Sequence, residues 1–233
     1  NAPGFKHLTF NTRRPIKTFL GNFEWQLIVG QLNEDSSLAF ENNFLRPLRT
    51  KNDGRYFNAF VLTYQPKWLR NIYLGLTRYE ILYNSDQQNR TGSILKRYLP
   101  VLAATSATEN FRGVANNDGG AGIFARWLLP NAQAEFYFEY GYKDFKQNIR
   151  DLTLNPRHAA AFLSGFKKIF ISSDKSFIDF SAEIVHTAQS PSYLMRNAEN
   201  WYEHGTIKQG YTYQNQIMGA GSGIGNNVQT LAL

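Results

Sequence analysis

The run Ala134-Glu135-Phe136-Tyr137-Phe138-Glu139-Tyr140-Gly141-Tyr142 repeats with a period of two. Its even positions are Ala134, Phe136, Phe138, Tyr140 and Tyr142; its odd positions are Glu135, Tyr137, Glu139 and Gly141. Successive side chains of an extended chain point to opposite faces, so one face is apolar and aromatic while the other carries carboxylates. The split recurs in residues 177–186, where Ile178, Phe180, Ala182 and Ile184 oppose Asp179, Ser181 and Glu183. In residues 22–31, Phe23, Trp25, Leu27 and Val29 oppose Glu24, Gln26 and Gly30. Each run is close to the ~9–11 residues that a tilted strand needs to cross a bilayer.

Short turns join these runs. Pro130-Asn131-Ala132-Gln133 separates 122–129 from 134–142, and Ser172-Ser173-Asp174-Lys175 separates 159–171 from 177–186. Gln65-Pro66-Lys67 follows 57–64 and leads to 71–81. These are hairpin signatures. The other connections, 33–55, 82–119, 143–158 and 188–202, are long and polar. Short turns at one end and long loops at the other are the arrangement of an outer-membrane barrel. Ile94-Leu95-Lys96-Arg97-Tyr98-Leu99 is expected to form a helical turn or two that could sit in a lumen.

A soluble β-sandwich would show the same alternation. Two details favour the barrel: Trp25, Trp127, Tyr140 and Tyr142 stand near strand ends, as interfacial girdles do, and the opposite face keeps carboxylates in mid-strand. The fold expected is therefore an all-β antiparallel transmembrane barrel of roughly nine or ten strands by the alternation count. Phe136, Phe138, Phe180 and Ile184 would face lipid, and Glu135, Glu139, Asp179 and Glu183 the lumen. Residues 1–233 read as a single domain, with no linker suggesting a second, and as a piece of a longer protein. The start at Asn1-Ala2-Pro3 and the end in strand-like Val228-Gln229-Thr230-Leu231-Ala232-Leu233 fit such a piece.

Composition narrows the classes further. The 233 residues are 42% hydrophobic, 15% aromatic and 18% charged, which excludes a disordered tail or a coiled coil. No apolar run is long enough for a transmembrane helix. Zero Cys rules out disulfides and thiolate metal sites. The net charge of +7 comes from scattered Lys and Arg, not from the concentrated patch of a nucleic-acid binder. It suits attraction to an acidic polysaccharide.

Catalytic signals are weak. The four His, at 7, 158, 186 and 204, lack metal-site spacing. Gly219-Ala220-Gly221-Ser222-Gly223-Ile224-Gly225 gives no GxGxxG frame and no following Lys-Ser/Thr; read as an extended segment, it puts four glycines on one face. Facing carboxylates could resemble a glycosidase pair, but any polar-lined lumen offers them. Asn89-Arg90-Thr91 is formally a glycosylation sequon, and there is no Gly-x-Ser-x-Gly elbow. The segment from Asn197 to Tyr213 mixes rings with amides, hydroxyls and charges, as sugar sites do, although a girdle followed by a strand would look alike. Trp201, Tyr202, His204, Tyr211 and Tyr213 are its candidate polysaccharide contacts.

Four stretches carry a family resemblance. They are Asn1-Ala2-Pro3-Gly4-Phe5-Lys6-His7-Leu8-Thr9-Phe10-Asn11-Thr12, Phe23-Glu24-Trp25-Gln26, Glu135-Phe136-Tyr137-Phe138-Glu139-Tyr140-Gly141, and Tyr202-Glu203-His204-Gly205 followed by Gln209-Gly210-Tyr211-Thr212. Together they resemble the capsule assembly protein Wzi family, in the same order along most of the chain. The resemblance implies a monomeric outer-membrane barrel of about eighteen strands, within the range such barrels span, of which residues 1–233, with roughly nine or ten strands, would be the central part. It also implies a surface lectin that attaches capsular polysaccharide, without catalysis or a cofactor. A porin-like channel and an envelope glycan hydrolase are the alternatives.

Overall fold

A computed structural model describes residues 4–33, 53–89, 94–102, 117–143, 153–173, 176–189, 200–207, 209–214 and 216–233. Its principal strands are β1 (Lys6–Asn11), β2 (Ile16–Lys17), β3 (Gly21–Leu32), β4 (Arg55–Pro66), β5 (Ile72–Tyr83), β6 (Asn117–Leu129), β7 (Ala134–Lys143), β8 (Ala160–Ser173) and β9 (Ser176–His186). A two-residue pair, β10 (Thr212–Tyr213) and β11 (Gln216–Ile217), precedes β12 (Asn227–Ala232). Ten strands form one antiparallel sheet in the order β1-β3-β4-β5-β6-β7-β8-β9-β12, with β2 beside β3. The sheet is not closed: among the described residues β1 and β12 each pair on one side. No helix among the described residues is long and apolar enough to cross a membrane.

Every strand from β3 to β9 pairs with its sequence neighbour, so all the short turns lie at one end of the sheet and the long connections at the other. The turns use residues suited to them. Asn71 takes the left-handed conformation before β5, with φ of 67°, which Asn tolerates better than most residues. Pro130 opens the 3-10 turn before β7, and Gln133 closes it by donating its N–H to the Pro130 carbonyl.

Directly paired residues share a face, so the register assigns faces across the sheet. Trp25, Leu62, Leu76, Ile123, Tyr140, Phe162 and His186 run across one side. Phe136, Phe138, Phe180 and Ile184 lie on that side too, which we call outer. Phe57, Tyr79, Gly120 and Lys143 run across the other, which we call inner. Glu135, Glu139, Asp179 and Glu183 are on the inner face. Many outer side chains stay exposed, among them Leu8, Phe10, Leu76, Ile123, Phe138, Ile178 and Ile184.

Three inner-face rings lie against glycines directly opposite them: Tyr79 on Gly120, Phe124 on Gly75 and Tyr137 on Gly165. A glycine across from an aromatic lets the ring lie flat on the backbone, and the ring shields hydrogen bonds that the glycine exposes.

Three sequence expectations differ from the structure. β6 begins at Asn117, five residues earlier than the pattern suggests, because pairing with β5 overrides the poor strand propensity of Asn, Asp and Gly. Residues 219–225 are turns, not an extended run: Gly223 and Gly225 have φ of 87° and 64°. The helical turn α2 (Ile94–Tyr98) exists, but its segment lies against outer-face Tyr56 and Asn58 rather than on the inner side. Arg90 and Thr91 of the sequon lie outside the described residues.

A Cβ at Gly165 would fall inside the Tyr137 ring. Gly165→Val is therefore expected to cost about 1–3 kcal/mol, as overpacking does. Urea titration of the full-length protein should show most of that loss recovered by adding Tyr137→Ala; equal loss in the two backgrounds would refute the ring-on-glycine contact.

Candidate functional site

Residues 200–207, 209–214 and 216–219 fold over the long-loop end of the inner face, and the main core forms where they meet it. Leu32, Phe57, Ala59, Ile81 and Tyr83 from the strands are buried with Ile207 and Tyr213 from the segment. Tyr211 lies between Tyr79, with ring centroids 4.5 Å apart, and Phe57 at 5.9 Å. Phe5 completes the cluster against Phe57 and Tyr213.

The strands are shaped to receive it. Gly122 sits directly opposite Gly141, and a Cβ on Gly141 would come 2.9 Å from the Trp201 ring. The missing side chain is the space that the indole occupies. Tyr202 holds φ of 72°, a conformation that costs a bulky residue about 1–3 kcal/mol unless its surroundings fix it. They do so: its ring covers Gly219, its hydroxyl accepts the Ala220 N–H at 2.9 Å, and its carbonyl accepts the Tyr211 N–H at 3.2 Å.

Arg55, fully buried, ties the segment to β4. Its Nη1 donates to the Gly210 carbonyl at 2.5 Å, and its Nη2 donates to the carbonyls of Thr212 at 2.9 Å and Asn33 at 3.3 Å. One rigid guanidinium thus holds two strand-flanking loops, a geometry that lysine cannot reproduce. Nearby, Lys143 approaches Asp118 at 3.8 Å and donates to the Asn200 carbonyl at 3.3 Å, with both charged side chains buried.

The segment's polar groups mostly serve its own fold. His204 Nδ1 accepts the N–H groups of Thr206 and Ile207 at 3.2 and 3.0 Å. Thr212 Oγ1 donates to the Gln209 carbonyl at 2.7 Å. Burial pushes the Tyr211 phenol up to about 12, helped by the charges of Glu139 and Asp118. The Tyr202 phenol is raised by burial as well, with the Ala220 N–H working the other way.

The structure therefore gathers all five sequence candidates, Trp201, Tyr202, His204, Tyr211 and Tyr213, into one inner-face plug. Tyr202 and Tyr213 are only 7% and 8% exposed, so their rings are spent on the interior. Trp201 keeps part of its surface, and its Nε1 finds no acceptor among the described residues. Asn197, Ala198, Glu199 and Lys208 lie outside the described residues.

The carboxylates occupy the inner face of β7 and β9, with Glu135 and Asp179 nearest the short turns. Arg126 grips Glu135 through Nε at 2.9 Å and through Nη2. Tyr137 donates its hydroxyl to Glu183 at 2.8 Å. Lys167, directly opposite Glu135, extends over the Tyr137 ring. Glu139 and Asp179 are exposed. The result is a charged strip of both signs below the plug. No group of three or more His, Asp or Glu able to hold a metal occurs among the described residues.

Sequence reading passed over Arg55, Asp118, Lys143 and the paired glycines. A signal existed for Arg55: it stands in phase with Phe57 and Ala59, a charge on the greasy phase of its strand.

Two outcomes follow. Arg55→Met removes charge-assisted hydrogen bonds worth about 1.5–3 kcal/mol each when unshared. Hydrogen exchange at residues 200–214 should speed up by a factor of ten or more, with strand protection unchanged; unaltered exchange would deny Arg55 its tethering role. For Tyr211, a folded pKa above the ordinary phenol value means that its contribution to stability persists below pH ~10 and falls as pH climbs towards 12. Phenolate absorbance should contain a late-ionising component that Tyr211→Phe lowers by the amplitude of one phenol.

Comparison with known proteins bears on the whole chain. Neither curated proteins nor solved structures gave a match. The model of the family described as capsule assembly protein Wzi matches residues 1–233, end to end. A family match of that extent, on an all-β chain whose large antiparallel sheet has two chemically distinct faces, means that the chain belongs to the capsule assembly protein Wzi family.

Proposed function

We propose that this chain is the central part of a monomeric outer-membrane β-barrel that binds and retains capsular polysaccharide at the cell surface, without a catalytic step or cofactor. The family assignment supports the role in capsule assembly. The observation that carries the membrane reading is the sheet's two-faced chemistry, with exposed apolar side chains on one side and a charged strip on the other. Open edges at β1 and β12 would leave N–H and C=O groups unpaired in lipid, so further strands would have to complete the wall.

In this reading the plug closes the mouth beside the long loops, and polymer meets it there. Trp201 offers a partly exposed indole for stacking on sugar rings. Tyr202, Tyr211 and Tyr213 hold that platform in place, and His204 shapes the turn beneath it. The inner carboxylates Glu135, Glu139, Asp179 and Glu183 line the lumen. Weak contacts repeated along a polymer hold by avidity rather than by one tight site.

A glycan hydrolase has less support. Glu135 and Glu183 already spend oxygens on Arg126 and Tyr137. Glu139 and Glu183 stand two strands apart, a lateral backbone separation of about 10 Å before their offset along the strands.

Capsule partition between cells and medium tests the proposal. Trp201→Ala in the full-length protein, at roughly 1 kcal/mol lost per stacking contact, should shift capsule into the supernatant several-fold while the barrel still inserts. Trp201→Phe should retain more. For an acidic capsule, retention should also weaken with salt, since exposed charges are screened beyond about 8–10 Å near physiological strength. Normal insertion of Trp201→Ala with full retention would remove this residue from polymer binding.

A further inference from the structure

The outer face carries a buried polar pair. On β4 and β5, Asn58 pairs directly with Glu80, and both are on the face of Leu62, Leu76 and Ile123. Asn58 stands eight residues from the short-turn end of β4, and Glu80 eight from that of β5. At the same count the neighbouring strands place Val29, Ala121, Tyr142 and Ile184 outward.

The height of the pair follows from strand geometry. Phe23, Tyr64, Trp127 and Phe136 each stand two residues from the short-turn end on this face, with Phe23 and Tyr64 stacked at 4.6 Å. Asn58 and Glu80 are six residues further on. Six residues at ~3.3 Å each, on strands tilted by roughly 40°, rise about 15 Å. The apolar band of such a barrel is about 25 Å tall, so the pair lies within it.

Yet Asn58 is 0% and Glu80 2% exposed. Arg78, two residues along β5, bonds Glu80 at 3.2 Å. What lies over Asn58 is α2 and the 3-10 turn Pro100–Leu102. Val101, itself buried, donates its N–H to Asn58 Oδ1 at 3.1 Å, while Asn58 Nδ2 donates to the Ile28 carbonyl at 2.9 Å. Tyr56 on the same face donates its hydroxyl to the Tyr98 carbonyl. Among the side chains described in this cover, Ile94 is 79% exposed, and Leu95, Tyr98 and Leu102 are exposed as well.

We infer that residues 94–102 are an external cover embedded in the lipid boundary of the membrane, with outer-leaflet lipid as its occupant. This rests on the barrel reading above. A cover facing water would have no reason to hide strand polarity behind leucine and isoleucine. A cover facing lipid must satisfy the polar groups beneath it and show apolar atoms outward. Asn58 meets the first condition and the exposed Ile94, Leu95 and Leu102 meet the second; Lys96 and Arg97 of the same segment have stems long enough to carry their charges to the headgroups. Tyr98 sits at the strand-polar edge, as aromatic residues do at membrane interfaces.

Residues 1–233 contain no Cys, and with any Cys elsewhere in the full-length protein replaced by Ser, single-cysteine labels report one position each. In the full-length protein, Ile94→Cys and Leu95→Cys would carry an environment-sensitive fluorophore, with Phe138→Cys as the outer-face reference and Thr77→Cys as the inner-face reference. Reconstitution is into phosphatidylcholine vesicles containing doxyl-labelled phosphatidylcholine, and heat-modified migration confirms folding of each variant. Doxyl quenching at 94 and 95 should come within about twofold of that at 138, as expected for a segment some 5–10 Å into the headgroup boundary, with little quenching at 77. Lipid quenching at 138 combined with iodide quenching alone at 94 and 95 would put the cover in water and overturn the inference while leaving the barrel intact. Labels at 94 and 95 protected from both quenchers would mean a protein partner instead, and would also overturn it. No lipid quenching at 138 would overturn the barrel reading and this inference with it.

Discussion

The coherence of pleat phase across the sheet is the constraint on which everything else depends. From β3 to β9 the antiparallel register places one phase of every strand on the outer face and the other on the inner. A slip of one residue in any pair would carry all of that strand's side chains to the other face. Leu76 and Ile123 would then turn towards the plug, and Glu139 would turn outward beside Phe136. Short turns resist such a slip because their length and backbone conformation fix which residues meet. The left-handed residues Asn71 and Gln133 at two of these turns are part of that fixing.

A coherent inner face makes a receiving surface for residues far away in sequence. The indole of Trp201 needs Gly141; Tyr211 needs the rings of Tyr79 and Phe57 at a set separation. Those positions belong to three strands, and only correct register brings them together. Arg55 then converts apolar contact into a defined pose, because carbonyls at Gly210, Thr212 and Asn33 must all point at one planar group. Nonpolar burial supplies the drive for the segment to collapse onto the sheet, and the guanidinium selects one arrangement among many of similar area.

The two faces solve the problem of buried polarity differently. On the inner face, opposite charges and hydroxyls meet directly, as with Arg126 and Glu135 or Tyr137 and Glu183. On the outer face, Asn58 is satisfied by backbone groups of Ile28 and Val101 and is roofed by a loop. Direct pairing suits a wet surface, where charges remain partly hydrated. A roof suits a surface where no water can complete the hydrogen bonds.

The sequence by itself determined the strands, their phases and the ends at which they turn, because these depend on side-chain alternation and on Pro, Asn, Ser and Gly at turns, all of which are local. The run from Ala134 to Tyr142 contains its own answer: both faces are spelled out in nine residues. The aromatic-polar segment from Asn197 was legible as unusual, but its placement was not. Whether Tyr202 meets solvent or Gly219, and whether Arg55 meets water or carbonyls 155 residues away, is settled by contacts that no local period encodes. The same holds for residues 94–102, whose helical turn is visible in sequence while its choice of face is not. Only the tertiary structure decided these, because each depends on which surfaces the register leaves unfilled: a glycine notch inside and a polar pair outside.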